Sequence, residues 1–333
     1  MDLPTLDFSL FKHGSDAESR KLAKTLVQSF RDHGFVKLIN HGLPEDAVKA
    51  YMAAAVEFFV LPTESKMKIS NARGPNPQRG FSWVGAEQTS KLRKENLIGQ
   101  TSWDELTDAR EHFDAGPPGD TEFPNKWPSE DELPGFQKLI ESCYLQFQNI
   151  CLDLMSAMEV GLDLPNGTLV ERCKPASSEM RLNHYPPTNL RELAEGKVKR
   201  TWPHTDFGII TLLFQDSIGG LELEQRSQPG TFAPVLPGNP NGPTEMVVNI
   251  SDTFQRWTND VIKAGVHQVT VPPTMKGLTE GLCQERYSGI FFFKAHRDTS
   301  AGPLPHFVTE KRPAVYDEIT ALQYQQRMTK VLY

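Results

Sequence analysis

The hydrophobic pattern of this chain changes near residue 176, and that change limits the folds open to it more than any other feature. Before it, apolar residues recur every three to four positions over long stretches. After it, short runs of β-branched and aromatic residues are separated by turn residues. The first pattern is typical of amphipathic helices and the second of strands. We therefore expect a helical first half and a mainly β second half.

The predicted strands of the second half lie at 178–185, 208–216, 220–225, 245–250, 266–272 and 285–296. The run 208–214 is apolar at nearly every position, as expected for a strand that is covered on both faces. This indicates a sandwich or jelly roll whose outer face is covered by the N-terminal helices.

The helical half has clear starts and stops. Ser15 and Glu18 form a capping box that opens a helix over 16–33, and Gly34 ends it before a strand at 35–39. Further helices are predicted from Pro44 to just before Pro62, at 63–69, from Pro134 to about Gly161, and at 317–330. The helix from Pro134 to about Gly161 has the longest apolar stripe and is expected to form a spine.

Between these helices, residues 71–132 are rich in Gly, Pro, Asp and Asn, which predicts mostly loop. Irregular segments of this length are usually functional in compact proteins, so we hypothesise that part of it closes over a site. The chain is thus divided into a helical region 1–175, a jelly-roll core 176–316 and a terminal helix 317–333. We expect the first two to form one compact unit.

Composition excludes several partners and compartments. The chain has 35 Lys+Arg against 42 Asp+Glu, a net charge of −7 with both signs interspersed, which predicts no nucleic-acid partner. No apolar stretch approaches a membrane span, and the acidic N-terminus has no signal core, so we expect neither membrane insertion nor export. Four cysteines without metal-type spacing fit a reducing, cytoplasmic location.

The three-residue pattern His-x-Asp occurs three times, at 112–114, 204–206 and 296–298. Only His204 and Asp206 lead directly into the buried strand and have a further histidine, His267, on a later strand. Residues two apart on an extended chain point to the same side, so these three side chains can face one ion. Such a set leaves three positions of an octahedral Fe(II) free, whereas tetrahedral zinc would keep one. The alternative is that His204 caps a turn and His267 is a hydrogen-bonded core residue.

A second pair lies nineteen positions after His267. Arg286 and Ser288 share one face of a predicted strand that continues into an apolar run. A guanidinium beside a hydroxyl can bind a carboxylate in a buried setting. A surface arginine on an edge strand is the alternative reading.

Together these motifs resemble those of the iron- and 2-oxoglutarate-dependent dioxygenases of the isopenicillin N synthase-like family. The resemblance covers nearly the whole chain and rests on ordered motifs: Arg181 to Pro186, His204 to Leu213, Gly219 to Leu221, Arg256 to Asp260, His267, and Arg286 to Ser288, with Pro4 to Phe8, Asp32 to Val36 and Ile39 to Gly42 before them. Gln268, where many relatives have Arg, departs from the pattern without touching the metal ligands.

The resemblance implies a fold, ligands and residue roles. The fold would be a double-stranded β-helix, or jelly roll, wrapped by helices. His204, Asp206 and His267 would bind Fe(II), and Arg286 with Ser288 would hold the distal carboxylate of 2-oxoglutarate, aided by Asn183 and Tyr185. Dioxygen would be the second cosubstrate.

The implied reaction oxidises a small molecule, by default through hydroxylation, with release of succinate and CO2. A phenolic, polyketide-derived or amino-acid-derived substrate from secondary metabolism is expected by analogy. The predicted substrate contacts are Arg79, Phe81, Arg181, Phe207 and Phe293. Because Arg181 would be costly to bury unpaired, we expect an anionic or oxygen-rich substrate.

Two other functions remain open at this point. An isopenicillin N synthase-type oxidase has the same iron ligands and turns the Arg-x-Ser pair toward a substrate carboxylate, without 2-oxoglutarate. A non-catalytic jelly-roll binding protein would have kept the fold and lost the chemistry. Succinate release and metal content distinguish the three.

Overall fold

The computed structural model describes residues 3–96 and 106–333, without the side chains of 93–96. The strands of this part of the chain, numbered in chain order, are β1 (Thr5–Asp7), β2 (Phe35–Ile39), β3 (Gly80–Ser82), β4 (Thr107–Asp108), β5 (Glu111–Ala115), β6 (Glu179–Tyr185), β7 (Thr188–Asn189), β8 (Val198–Lys199), β9 (Thr201–His204), β10 (Ile210–Gln215), β11 (Leu221–Glu224), β12 (Phe232–Pro234), β13 (Met246–Ile250), β14 (His267–Val269), β15 (Leu282–Cys283) and β16 (Arg286–Phe293).

The α-helices are α1 (Ser9–His13), α2 (Asp16–Asp32), α3 (Glu45–Phe59), α4 (Thr63–Lys68), α5 (Phe136–Gly161), α6 (Leu190–Ala194), α7 (Asp252–Trp257) and α8 (Ala321–Leu332). Short 3-10 helices occur at Thr89–Asn96, Val170–Cys173, Pro273–Met275 and Pro305–Phe307. None of the helices described is long and apolar enough to cross a membrane.

Two antiparallel sheets form the β core. The larger sheet has the order β1-β2-β13-β10-β16-β6-β5-β3, with only β1 and β2 parallel, and the smaller has the order β12-β11-β14-β9. Side chains of both sheets line one cavity. The two sheets therefore face each other in a jelly roll, and the predicted fold class is confirmed.

The helices α2, α3 and α5 cover the outer face of the larger sheet, because their apolar stripes share one core with its strands. The Tyr51 hydroxyl of α3 lies 3.2 Å from the carbonyl oxygen of Arg181 and 3.1 Å from that of Ile290. Its ring lies above Gly289, where a Cβ would come within 2.3 Å of the Tyr51 Cε1. This helix is thus fixed against β6 and β16, the strands that carry all four candidate cosubstrate residues.

The longer predicted elements are confirmed. The capping box of Ser15 and Glu18 is present at the start of α2, and the spine helix α5 buries its apolar stripe along most of its length. The last helix begins at Ala321, after a capping box of Thr320 and Gln323, and not at 317.

The described part of 71–132 is mostly irregular, but it also contributes strands to the core. The strands β3 and β5 lie within it and extend the larger sheet, with β5 paired to β6. Their sequences are short and carry few apolar residues, so pairing with β6 decides their structure more than intrinsic preference does. Residues 97–105 of this segment lie outside the described residues. The division at 175 and 316 stays a prediction, although strands from both sides of 175 share the larger sheet.

Candidate metal and cosubstrate site

The three predicted metal ligands meet between the ends of two strands. His204 ends β9, His267 begins β14 directly opposite it, and Asp206 lies two residues after β9. One ligand atom from each lies within 4.8 Å of the others. The Asp206 Oδ1 atom is 3.8 Å from the His204 Nε2 and 3.9 Å from the His267 Nε2. These three atoms therefore converge on one point.

The hydrogen bonds of the two imidazoles fix which nitrogen is free. The His204 Nδ1 lies 2.8 Å from the Trp202 carbonyl oxygen, and the His267 Nδ1 lies 3.2 Å from that of Gly265. A carbonyl oxygen can only accept, so each Nδ1 carries the proton and donates it. Each Nε2 then keeps its lone pair for a ligand, which is the usual arrangement of a metal-binding histidine.

The Asp206 carboxylate is held in a similar way. Its Oδ2 accepts hydrogen bonds from the Thr211 hydroxyl at 2.7 Å and the Asn249 amide at 2.9 Å. Its Oδ1 faces the two imidazoles. One oxygen is thus fixed by the protein and the other is left to a cation.

The protonation states agree with this geometry. Burial, with the neighbouring His267, lowers the pKa of His204 to about 3, so its ring is neutral at physiological pH. Burial acts to raise the pKa of Asp206, but the two imidazoles and its two hydrogen bonds outweigh it, and the pKa is lowered. A neutral imidazole and a carboxylate are the forms that bind a divalent metal.

A second group of predicted residues lies on the facing strands β6 and β16. The register places Arg286 opposite Tyr185 and Ser288 opposite Asn183. The Arg286 guanidinium lies over the Tyr185 ring, 4.9 Å from its centroid, and the Asn183 amide donates to the Ser288 hydroxyl at 3.3 Å. Arg286, Ser288 and Tyr185 line the same cavity as the metal triad, whereas Asn183 lies behind Ser288.

Arg286 is buried with much of its hydrogen-bonding capacity unused. Its Nη2 donates to the Gln215 side chain at 3.0 Å, while Nε and Nη1 have no partner. Buried N–H groups are rarely left unpaired, and guanidinium forks match carboxylates. The cavity therefore fits a ligand with a carboxylate at this end.

Comparisons with known proteins agree with this geometry. A profile of the 2OG-Fe(II) oxygenase superfamily matches residues 176–295, and one of the "non-haem dioxygenase in morphine synthesis N-terminal" family matches residues 3–130. The chain is 50% identical to 2-oxoglutarate-dependent dioxygenase phqC of Penicillium fellutanum, over 98% of this chain and 94% of that protein. The chain belongs to the 2OG-Fe(II) oxygenases.

Other similarities of this oxygenase cover the whole chain as well. It is 47% identical to 2-oxoglutarate-dependent dioxygenase imqE of Aspergillus flavus, over 99% of this chain and 94% of that protein. The solved structure of a full-length Neurospora crassa protein in complex with alpha-KG superimposes with a TM-score of 0.84, at 28% identity, over 98% of this chain and 95% of that one. The enzyme uses Fe(II), 2-oxoglutarate and O2, and it oxidises a small molecule.

The substrate side of the cavity contains two of the five predicted substrate residues. The cavity has about 970 Å³ of space, part of it open to solvent, and Arg181 and Phe207 line it. Phe81 and Phe293 lie instead in the helical core, and Arg79 pairs with Glu179 at 2.9 Å behind the wall. The placement of Phe293 was wrong because side chains alternate along β16, where Ser288, Ile290 and Phe292 face the cavity.

Arg181 faces the cavity but already has its anionic partners. Its Nε donates to Asp114 at 2.7 Å and its Nη1 to Glu87 at 3.0 Å, and Gln78 accepts a third bond. The premise of a buried, unpaired Arg181 was wrong, so this residue does not require an anionic substrate. Its partners come from 71–132, the segment whose long-range pairing could not be derived from the sequence.

Several lining residues were not predicted. Gln78, Glu87 and Arg110 of the 71–132 segment and Gln325, Thr329 and Leu332 of α8 line the cavity, and Thr211 and Asn249 support Asp206. Thr211 carried a usable signal, since it lies on the predicted buried strand and follows Asp206 by five residues. The others depend on tertiary contacts, for which the sequence offers no short-range pattern.

Proposed function

We propose that His204, Asp206 and His267 hold Fe(II), and that Arg286, Ser288 and Tyr185 hold the distal carboxylate of 2-oxoglutarate. The observation that carries this assignment is the pair of unpartnered N–H groups on the buried Arg286, which lines the same cavity as the converging triad. Asn183 positions the Ser288 hydroxyl and does not reach the cavity itself.

When bound, iron, 2-oxoglutarate and O2 supply the oxidising chemistry, in which 2-oxoglutarate is converted to succinate and CO2. The protein's own residues bind and orient. Trp202 and Gly265 hold the two imidazoles through their carbonyl oxygens, and Thr211 and Asn249 hold the carboxylate of Asp206. The apolar side chains of Phe207, Phe292 and Leu332 line the same cavity and reduce the room for water in it.

The substrate class follows from the mixed lining of the cavity. The apolar side chains of Phe35, Phe207, Ile290 and Phe292 line it together with the polar side chains of Gln78, Glu87 and Arg110. Arg110 donates to Glu87 through Nη2, while its buried Nε has no partner. This arrangement fits a compact, partly apolar molecule with a carbonyl or carboxylate oxygen that Arg110 binds.

We place this substrate among amino-acid-derived ring compounds of secondary metabolism, ahead of phenolic or polyketide-derived ones. A relative named proline hydroxylase buaE, from Petromyces alliaceus, is 38% identical over 98% of both chains and supports this choice. Hydroxylation is the proposed outcome at the substrate carbon that lies nearest the triad.

The test is a panel of cyclic amino acids, their peptides and phenolic acids, with O2 consumption and succinate measured together. The proposal expects one mole of succinate per mole of O2, with cyclic amino-acid compounds giving the fastest turnover. O2 consumption without succinate would favour the oxidase, and activity confined to phenolic acids would overturn the substrate class.

A role for Arg110 in substrate binding is tested on the best substrate found. Replacing Arg110 with Gln should raise KM about tenfold or more with a smaller change in kcat, because a charged hydrogen bond to the substrate is lost. An unchanged KM would refute the contact.

We also propose that the enzyme acts in the cytoplasm. The four cysteines are buried free thiols, with no disulfide among the described residues, which suits a reducing compartment. Fractionation of the producing cells, with a cytoplasmic marker enzyme followed in parallel, tests this location.

A further inference from the structure

A second buried arginine, Arg200, forms no salt bridge with a carboxylate of the described residues. Its side chain has no exposed surface, and its Nη2 donates to the carbonyl oxygen of Gln284. Nε and Nη1 are buried without a hydrogen-bond partner, and the carboxylate that acts on the guanidinium, that of Asp216, does so without forming a salt bridge. A buried charge without an ion-pair partner is expensive, so its retention needs a reason.

The position of Arg200 supplies that reason. Its Cζ lies 5.9 Å from the centroid of the Tyr185 ring, and the Cζ of Arg286 lies 4.9 Å from the same ring. Two guanidinium groups therefore adjoin one aromatic ring, and each has an unpartnered Nε and Nη1. The distal end of the cavity carries two positive charges that no described carboxylate pairs with.

We propose that Arg200 is a positioning residue for the cosubstrate, whose charge strengthens the binding of the distal carboxylate of 2-oxoglutarate without touching it. This inference rests on the proposed role of Arg286, Ser288 and Tyr185. Arg200 adjoins the ring of Tyr185, which lines the cavity, but Arg200 does not line the cavity itself. Its effect is therefore electrostatic. At an effective dielectric constant of about 20, a unit charge about 10 Å from an anion changes an affinity roughly tenfold.

The competing explanation is that Arg200 only ties the chain together through Gln284. Cys283 offers a way to separate the two roles, because this buried thiol lies beside the guanidinium. Burial raises the pKa of Cys283, and the charge of Arg200 and a hydrogen bond from it partly offset that rise. An aspartate at position 283 would therefore neutralise Arg200 in place, while a serine would not.

The experiment is calorimetric titration of 2-oxoglutarate into the Fe(II)-loaded protein without oxygen, with the thermal midpoint of each variant measured in parallel. Arg200→Gln should weaken binding about tenfold, and Arg200→Lys, which keeps the charge, should stay within about threefold of the natural protein. Cys283→Asp should weaken binding by a similar factor as Arg200→Gln, and Cys283→Ser should not. Lys276→Gln removes an exposed charge and serves as the control for a general loss of positive charge.

A second ligand makes the test specific for the distal carboxylate. The monoanion 2-oxovalerate has the same chain length but lacks that group, so it should bind more weakly than 2-oxoglutarate. Its affinity should be the same for Arg200→Gln and for the natural protein. An equal loss for both ligands would point to a structural effect.

The inference is overturned if Cys283→Asp and Cys283→Ser bind 2-oxoglutarate equally well, or if Arg200→Gln lowers the thermal midpoint and leaves the affinity unchanged. The comparison of Cys283→Asp with Cys283→Ser tests the role of Arg200 even if Arg200→Gln does not fold. Arg286→Gln is measured alongside. If this variant binds 2-oxoglutarate with normal affinity, the proposed cosubstrate site is wrong. If Arg286→Gln fails to bind while Arg200→Gln binds with normal affinity, only the role of Arg200 is refuted.

Discussion

The two oxygens of Asp206 have different partners. Oδ2 is held by Thr211 and Asn249, and Oδ1 faces the two histidines. Hydrogen bonds of this kind orient a metal ligand and commonly change metal affinity about 10–100-fold when removed. The motif residues alone therefore do not set the affinity of the site for iron.

Replacing Thr211 with Val tests this support. Valine has nearly the same shape and lacks the hydroxyl, so Asp206 should keep its place but lose one of its two hydrogen bonds. We expect Fe(II) affinity to fall about tenfold, measured by anaerobic competition with a chelator. Thr258→Val is the matched control, because Thr258 is also fully buried and its hydroxyl bonds backbone groups away from the triad. Equal affinities in the two variants would show that the Thr211 bond does not matter.

Asp108 makes stability depend on pH. Burial raises its pKa to about 7, and Arg110 and Thr89 only partly offset this rise. The folded protein therefore keeps a proton that the unfolded chain, with an ordinary pKa of 3.8, releases. Stability from this group is present below about pH 4 and is lost as the pH rises through 7.

Asp108→Asn should remove this loss. Between about pH 5 and pH 8 the free energy of unfolding of the natural protein should fall relative to that of the variant by about 2–3 kcal/mol, measured by urea unfolding of the metal-free protein. A constant difference between the two proteins across this range would contradict the raised pKa.

The residues that bind the metal and the cosubstrate were predicted from the sequence better than the residues that contact the substrate. The residues found were His204, Asp206, His267, Arg286 and Ser288, because each lies on a strand or directly after one, next to a recognisable partner. Phe293 was misplaced although strand parity from Ser288 would have assigned Phe292 to the cavity. Glu87 was missed because its contact with Arg181 of β6 joins residues 94 positions apart, and Arg110 was missed because its partner Glu87 is 23 positions away.

Among the elements, α3 and β16 depend on close contact at Gly289. A methyl group there would lie 2.3 Å from the Tyr51 ring, whose hydroxyl reaches the backbone of both β6 and β16. This glycine does not have a positive φ, so the restriction at this position is steric.

Gly289→Ala should therefore destabilise the protein by about 1–3 kcal/mol, the usual cost of overpacking, and weaken 2-oxoglutarate binding through the neighbouring Ser288. Chemical denaturation and calorimetry measure the two effects. Gly196→Ala is the control: it has open space but a φ of +76°, so only a backbone cost is expected. The steric account fails if Gly289→Ala is no less stable than the control.

Long elements were predictable and short ones were not. The helices α2 and α5 carry many turns of one apolar stripe, and α2 also carries a capping box, so local pattern decides them. Two- to four-residue strands such as β4, β8 and β9 carry too few residues for a period to show. Pairing partners distant in sequence fix them instead, as β5 shows.

Over the whole molecule, the helical half completes the jelly roll. The larger sheet takes β1, β2, β3 and β5 from the first 175 residues, and α2, α3 and α5 cover its outer face. The cavity also needs both halves, since Gln78, Glu87 and Arg110 form its polar wall. The general architecture was predictable from the change of pattern at 176, but this sharing of one sheet was not.

A fragment of residues 176–333 tests how far the second half is independent. It would expose Phe291, Phe293 and the rest of the helix-facing side of the sheet, so we expect it to aggregate or remain unfolded. Circular dichroism and size-exclusion chromatography of the fragment measure this directly. A monomeric fragment that unfolds cooperatively would show that the division at 175 separates two folding units.

The central claim is that one cavity holds iron on His204, Asp206 and His267 and 2-oxoglutarate on Arg286. Anaerobic addition of Fe(II) and then 2-oxoglutarate, followed by visible charge-transfer absorption, tests it most directly. We predict a band that requires both ligands, saturates at one equivalent of 2-oxoglutarate, is absent in His204→Ala and needs much more 2-oxoglutarate in Arg286→Gln. The same band in His204→Ala, or iron binding with no response to 2-oxoglutarate in the natural protein, would contradict it.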